Sequence, residues 1–137
     1  MRSKWASCAA PIIRLPITTL GEKDAVLAEE WPIYDVTGFR FVVPADTRTD
    51  GASIPRFLWR VCGHPLQAPR VYAALLHDWL YSGEDCDGDG ASPAMLTRKE
   101  CDECYYAMLR HFGVSAFKAK IEYWALRMFG ASHYTSS

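Results

Sequence analysis

Four prolines, Pro11, Pro16, Pro32 and Pro44, constrain this chain more than any other feature. Proline lacks a backbone donor and clashes with the preceding helical turn, so long helices are excluded up to about residue 44. What remains there reads as extended chain. Trp31, Ile33, Asp35 and Val36 precede a Thr37-Gly38 turn, and Phe39-Arg40-Phe41-Val42-Val43 follows with the alternation of a half-buried strand. The pair predicts a β-hairpin. Ile12-Ile13-Arg14-Leu15 adds a candidate strand. Residues 45–69 read as a loop holding Asp50-Gly51, Pro55, Gly63 and Pro65, with one short helical turn at residues 56–60.

After Pro69 the pattern changes to helical. Val71, Ala74, Leu75 and Leu80 lie in a run with no breaker until Ser82-Gly83. Thr97 with Glu100 three residues later fits a capping box, so a second helix is expected to run to His111, with Gly113 as its stop. A third helix is expected over residues 115–128, ending at Gly130, and residues 131–137 read as a frayed tail. No internal repeat or low-complexity stretch interrupts this order. The length of 137 residues suits one domain. The expected fold is therefore α+β over 1–137: a β-rich part (10–44) with an N-terminal β-hairpin or small antiparallel sheet, a long loop (45–69), and three helices (70–130) that include an antiparallel helix hairpin.

Composition narrows the function classes. Half the residues are hydrophobic, enough for a packed core. Fifteen Lys and Arg against 16 Asp and Glu leave a net charge of -1, so no nucleic-acid partner is expected. No apolar run approaches the roughly 20 residues of a transmembrane helix. The apolar stretch near Cys8-Ala9-Ala10 is shorter than the ~7–15 residues of a signal-peptide core, so no signal peptide is expected. Five cysteines (Cys8, Cys62, Cys86, Cys101, Cys104) cannot all pair within the chain, which favours a reducing compartment.

The sharpest local feature is His77-Asp78-Trp79-Leu80-Tyr81 near the end of the first helix, with Asp102 near the start of the second. In an antiparallel hairpin, His77 lies roughly 6 Å below the end of its helix and Asp102 roughly 7.5 Å into its own, so they meet at similar height. A carboxylate there holds the imidazole in one tautomer and leaves the other nitrogen as a general base. Tyr81, one turn from His77, can bind Asp102 and fix it. The same residues also make sense as a buried polar network that fixes the helix pair and does no chemistry.

Other motifs carry two readings each. In Thr49-Asp50-Gly51-Ala52-Ser53-Ile54-Pro55-Arg56, Asp50 caps a turn and Ser53 caps a short helix, or else Asp50, Ser53 and Arg56 line a site beside His77, with Ser53 as a possible nucleophile. Asp85-Cys86-Asp87-Gly88-Asp89-Gly90 has the first half of an EF-hand spacing, but Leu96 stands where a bidentate Glu is expected and Pro93 at position nine. Asp85, Asp87 and Asp89 are calcium candidates or a solvated acidic turn. Cys101-x-x-Cys104 with Cys62 and His64 is a zinc constellation on paper, though on a helix it reads first as packing, and zinc is not expected. Phe117, Ile121, Trp124, Ala125 and Met128 form an apolar stripe read as core, as are most of the five Trp residues. Phe57 and Trp59 are the pair expected to be exposed.

Two resemblances follow from these motifs. His77-Asp78-x-x-Tyr81 with Asp102 on the next helix resembles the core of phospholipases of the A-two type. That likeness implies His77 as the base that activates water, Asp102 as its orienter, Asp78 as a calcium ligand and Tyr81 as a brace. That family's glycine-rich calcium loop and paired cysteines have no counterpart here. The order T-D-x-A-S-x-P-R, H-D-x-L-Y and R-x-x-x-D (from Thr49, His77 and Arg98) resembles domain-of-unknown-function family 1353 over roughly residues 41–130. The resemblance implies a phage or prophage origin, in the host cytoplasm or the phage particle. The expected function is a hydrolase-like protein acting on an ester of lipid or cell envelope. The rival expectation is a non-enzymatic virion, tail or assembly protein that partners phage structural proteins.

Overall fold

The computed structural model describes residues 5–7, 13–14, 25–35, 40–49, 58, 70–83 and 96–129. Six short strands precede three helices: β1 Trp5–Ser7, β2 Ile13–Arg14, β3 Ala25–Leu27, β4 Trp31–Asp35, β5 Arg40–Val43 and β6 Arg48–Thr49, then α1 Arg70–Tyr81, α2 Arg98–His111 and α3 Ala116–Phe129. This is the α+β order that the proline distribution demands. The strands form two antiparallel three-stranded sheets, in the orders β1-β4-β5 and β2-β3-β6.

The expected hairpin is present as β4 and β5. Trp31 faces Val43 and Ile33 faces Phe41 in register, and all four side chains are buried. Pro32 and Val42 alternate to the other side. Ile13–Arg14 pairs with β3 as the candidate strand suggested. Residues 48–49 differ from expectation. They lie within the stretch read as loop, yet they pair with β3, because the Pro44–Thr47 turn brings them back against it. Leu27 and the turn exchange backbone bonds of 2.8 Å, Leu27 N–H to Thr47 O and Asp46 N–H to Leu27 O. Of the helical turn expected at 56–60, only Leu58 is among the described residues; its backbone is 3₁₀ and it packs on the core.

Helix α1 is apolar nearly all round and buried nearly all round. It packs against β6 and β3 on one side and against α2 on the other. Trp79 meets Phe41 edge-on at 6.5 Å, which ties α1 to the hairpin sheet. Ser82-Gly83 ends the helix, and Gly83 takes the left-handed conformation (φ 67) that closes such ends.

The capping box is as expected. Thr97 Oγ1 accepts from Glu100 N–H at 3.2 Å, and Glu100 Oε1 accepts from Thr97 N–H at 3.0 Å. Gly113 (φ 95) ends α2. Helices α2 and α3 then pack together, and Arg98 at the start of α2 caps the end of α3: Nη2 donates to Leu126 O at 2.6 Å and to Arg127 O at 2.8 Å. A guanidinium there satisfies carbonyls with no intrahelical partner and complements the negative helix end. Among the described residues no helix is long and apolar enough to cross a membrane.

The stripe on α3 departs from expectation. Phe117, Trp124 and Met128 are exposed rather than core. Of the stripe Ala125 is buried as expected, and the inner side adds Ala119, Glu122 and Leu126, where two small side chains suit close helix packing. Trp31 and Trp79 do fill the core.

Candidate active site

Antiparallel packing of α1 on α2 joins the two ends that carry His77 and Asp102. His77 Nε2 lies 2.8 Å from Asp102 Oδ1, with the His77 side chain 1% exposed and that of Asp102 0%. Tyr81 Oη also donates to Asp102 Oδ1, and Arg127 Nη1 donates to Asp102 Oδ2 at 2.8 Å. Every oxygen of this buried carboxylate is therefore occupied. Burial alone would raise the Asp102 pKa, but the hydrogen bonds from His77, Tyr81 and Arg127 outweigh it and hold the carboxyl below its ordinary value.

An ionised Asp102 is acceptor only, so the proton between the two groups belongs to His77 Nε2. In the neutral imidazole the lone pair then sits on Nδ1. That atom is buried and has no hydrogen-bond partner among the described residues. Asp78 Oδ1 stands 3.9 Å from it, beyond hydrogen-bond length. Two rings hold the imidazole in place, Tyr81 at 3.9 Å between centroids and Tyr105 edge-on at 5.4 Å. Burial lowers the His77 pKa, but the Asp102 hydrogen bond and the Asp78 carboxylate raise it further, and the net direction is up. Burial and the Asp102 charge push the Tyr81 hydroxyl up as well, so it stays a donor.

Asp78, next along α1, turns toward the sheet. Thr49 Oγ1 donates to Asp78 Oδ2 at 2.5 Å, so the first residue of the T-D-G-A-S-I-P-R motif docks on the helix that carries His77. Asp50, Ser53 and Arg56 lie outside the described residues, as do Asp85, Asp87, Asp89, Phe57, Trp59, Cys62 and His64. Among the described residues no three His, Cys, Asp or Glu side chains converge as a metal site requires. Among the described residues Asp78 and Thr49 bring one carboxylate and one hydroxyl to this point. Cys101 and Cys104 are free buried thiols, and burial pushes Cys101 up to about 12, so it packs as a neutral group.

A second buried network backs the first. Glu122, 0% exposed, accepts at Oε1 from Arg70 Nε at 3.0 Å and from Tyr105 Oη at 3.1 Å. Burial raises its pKa against the pull of Arg70. Since Tyr105 also touches the His77 ring, the two networks share a wall. Sequence reading missed Arg127, Tyr105, Thr49, Arg70 and Glu122. Glu122 had a signal: it is a lone carboxylate at the helical spacing of Ala119, Ala125 and Leu126. Arg127 had none, since nothing local distinguishes it from a solvated cation.

The architecture is thus an α+β chain with a His–Asp pair buried between two antiparallel helices and braced by a tyrosine and an arginine. It belongs to the family described as "Protein of unknown function (DUF1353)", whose model matches residues 25–126 and so takes in every residue of the site except Arg127. The chain is similar to two proteins of Sinorhizobium fredii. It is 31% identical to the "Uncharacterized protein y4jT" over 104 residues, 76% of this chain and 28% of that protein. It is 30% identical to the "Uncharacterized protein y4iH" over 105 residues, 77% of this chain and 40% of that protein. The chain therefore spans less than half the length of these relatives. No solved structure matches it.

Proposed function

We propose that this is a phage- or prophage-encoded hydrolase-like protein in which His77 and Asp102 activate water against an ester of lipid or cell envelope. The observation that carries the reading is His77 Nδ1, a buried nitrogen with no hydrogen-bond partner among the described residues, on an imidazole whose other nitrogen is locked to Asp102. Leaving a buried polar atom unpaired costs about 1–3 kcal/mol, which calls for a role. A general base has one nitrogen oriented and the other without a partner; here a water would have to be admitted beside the buried Nδ1 to give up its proton.

In the reaction, Nδ1 takes a proton from water as the water oxygen adds to the ester carbonyl. The acyl–oxygen bond then breaks, and the proton passes from Nδ1 to the departing alkoxide, giving acid and alcohol. Asp102 keeps the tautomer and stabilises the imidazolium between these steps. Asp78, half-buried beside Nδ1, adds to that stabilisation. Calcium held with the help of Asp78 is part of the phospholipase likeness, and no step here is assigned to a metal.

One observation favours a second reading. His77 is 1% exposed, which suits a sealed structural network in a non-enzymatic virion or assembly protein. The deciding experiment is hydrolysis of mixed phospholipid vesicles, with calcium and with chelator, by the protein and by His77→Gln. Fatty-acid release that disappears in a folded His77→Gln supports the hydrolase. No release, together with a loss of about 2–4 kcal/mol of stability in the variant, supports the structural reading.

A further inference from the structure

Helix α3 is apolar on two opposite sides. Its inner side is buried. On the far side Phe117, Ile121, Trp124 and Met128 recur at steps of four, three and four residues, the spacing of a single helical face. Phe117 is 74% exposed, Trp124 55% and Met128 69%. Apolar residues scattered singly on a surface need no explanation, but a contiguous stripe of large ones marks an interaction surface.

The charges around the stripe select the partner. At 100° per residue, Lys120 falls on one flank and Lys118 on the other, and both are exposed. Lys120 Nζ stands 5.9 Å from the ring centroids of both Tyr106 and Tyr123, so its stem lies along aromatic surface. The helix has one carboxylate, Glu122, and it is turned inward and bonded to Arg70 and Tyr105. The outer half of α3 thus offers large apolar side chains and cations, with no acid among them.

We propose that this face docks on an anionic lipid-bilayer surface, with α3 lying in the interfacial plane. Aromatic and aliphatic side chains would enter the acyl boundary while Lys118 and Lys120 meet anionic headgroups. The helix has 14 residues, suited to lying on a bilayer and too short to span one. Self-pairing of two such faces would crowd the lysines of both copies with no carboxylate on the face to oppose them. The proposal stands on α3 alone and holds whether or not His77 is a base.

The test is co-sedimentation of the full chain with vesicles of phosphatidylcholine, alone or mixed with phosphatidylglycerol, and quenching of tryptophan fluorescence by brominated lipid. Expected is salt-sensitive binding to the mixed vesicles, with quenching that largely disappears in Trp124→Phe. Lys118→Ser combined with Lys120→Ser should weaken binding by roughly thirtyfold, about fivefold per lysine. Phe117→Ser combined with Met128→Ser should weaken it by about tenfold or more. These side chains are exposed, so the variants should keep the parent circular dichroism spectrum. No binding by the folded protein, or binding that neither double variant changes, would overturn the proposal. A dimer in light scattering that Phe117→Ser dissociates would overturn it too, and make the face an interface between copies.

Discussion

His77 Nε2 and Asp102 Oδ1 lie 2.8 Å apart across 25 residues of chain, and neither side chain reaches solvent. The bond is the hinge between the helix pair and any chemistry the pair performs. Its neighbours make its energetics testable.

Removing the carboxylate should be far worse than removing one of its donors. Asp102→Ala leaves His77 Nε2 and Tyr81 Oη buried without their acceptor and Arg127 without its partner, an expected loss of about 3–5 kcal/mol. Tyr81→Phe removes one hydrogen bond to a charged group, worth about 1.5–3 kcal/mol, and leaves the His77 and Arg127 bonds in place. Urea unfolding followed by circular dichroism gives both values. Equal losses would mean that Tyr81, not Asp102, organises the site.

The pH dependence has a definite sign on each side. The folded pKa of His77 is raised above its ordinary 6.5, so its stabilisation is fully present below pH 6.5 and is lost as pH rises through the raised value. The folded pKa of Asp102 is lowered below 3.8, so its stabilisation is present above pH 3.8 and is lost as pH falls through the lowered value. The contribution of the pair should therefore be greatest between these two ordinary values. His77→Gln should flatten the alkaline limb of a melting-temperature profile. Hydrolysis by a neutral His77 should rise along that same limb, opposite in sign to stability.

The Glu122 network should be structural. Glu122→Ala strands Tyr105 Oη, which is fully buried, and Arg70, at an expected loss of about 3–5 kcal/mol. Glu122→Gln keeps an acceptor for Tyr105 and should lose less. Thermal unfolding of the two variants measures the difference, and equal losses would show that the charge facing Arg70, not the hydrogen bond to Tyr105, is what matters.

The helices were legible because their signals are local. Pro69, the Thr97–Glu100 box, Gly83 and Gly113 each act within a turn or two of chain, and the structure begins or ends a helix at each. The β4–β5 hairpin was legible for the same reason, since alternation and a short turn are neighbours in sequence. β6 was not: two residues form a strand only because β3, more than twenty residues earlier, supplies the partner.

The same division runs through the site. His77 and Tyr81 share a face because four residues make one helical turn, and the meeting with Asp102 followed from helix lengths once the pair was antiparallel. That much the sequence by itself determined, along with the α+β order imposed by its prolines. Only the tertiary structure decided which nitrogen of His77 is bonded, that Arg127 completes the Asp102 shell, that Thr49 holds Asp78, and which side of α3 meets the core. An apolar stripe states a preference for burial. Which of two such faces is buried depends on how closely neighbouring helices approach, and small side chains at Ala119 and Ala125 let the inner face win.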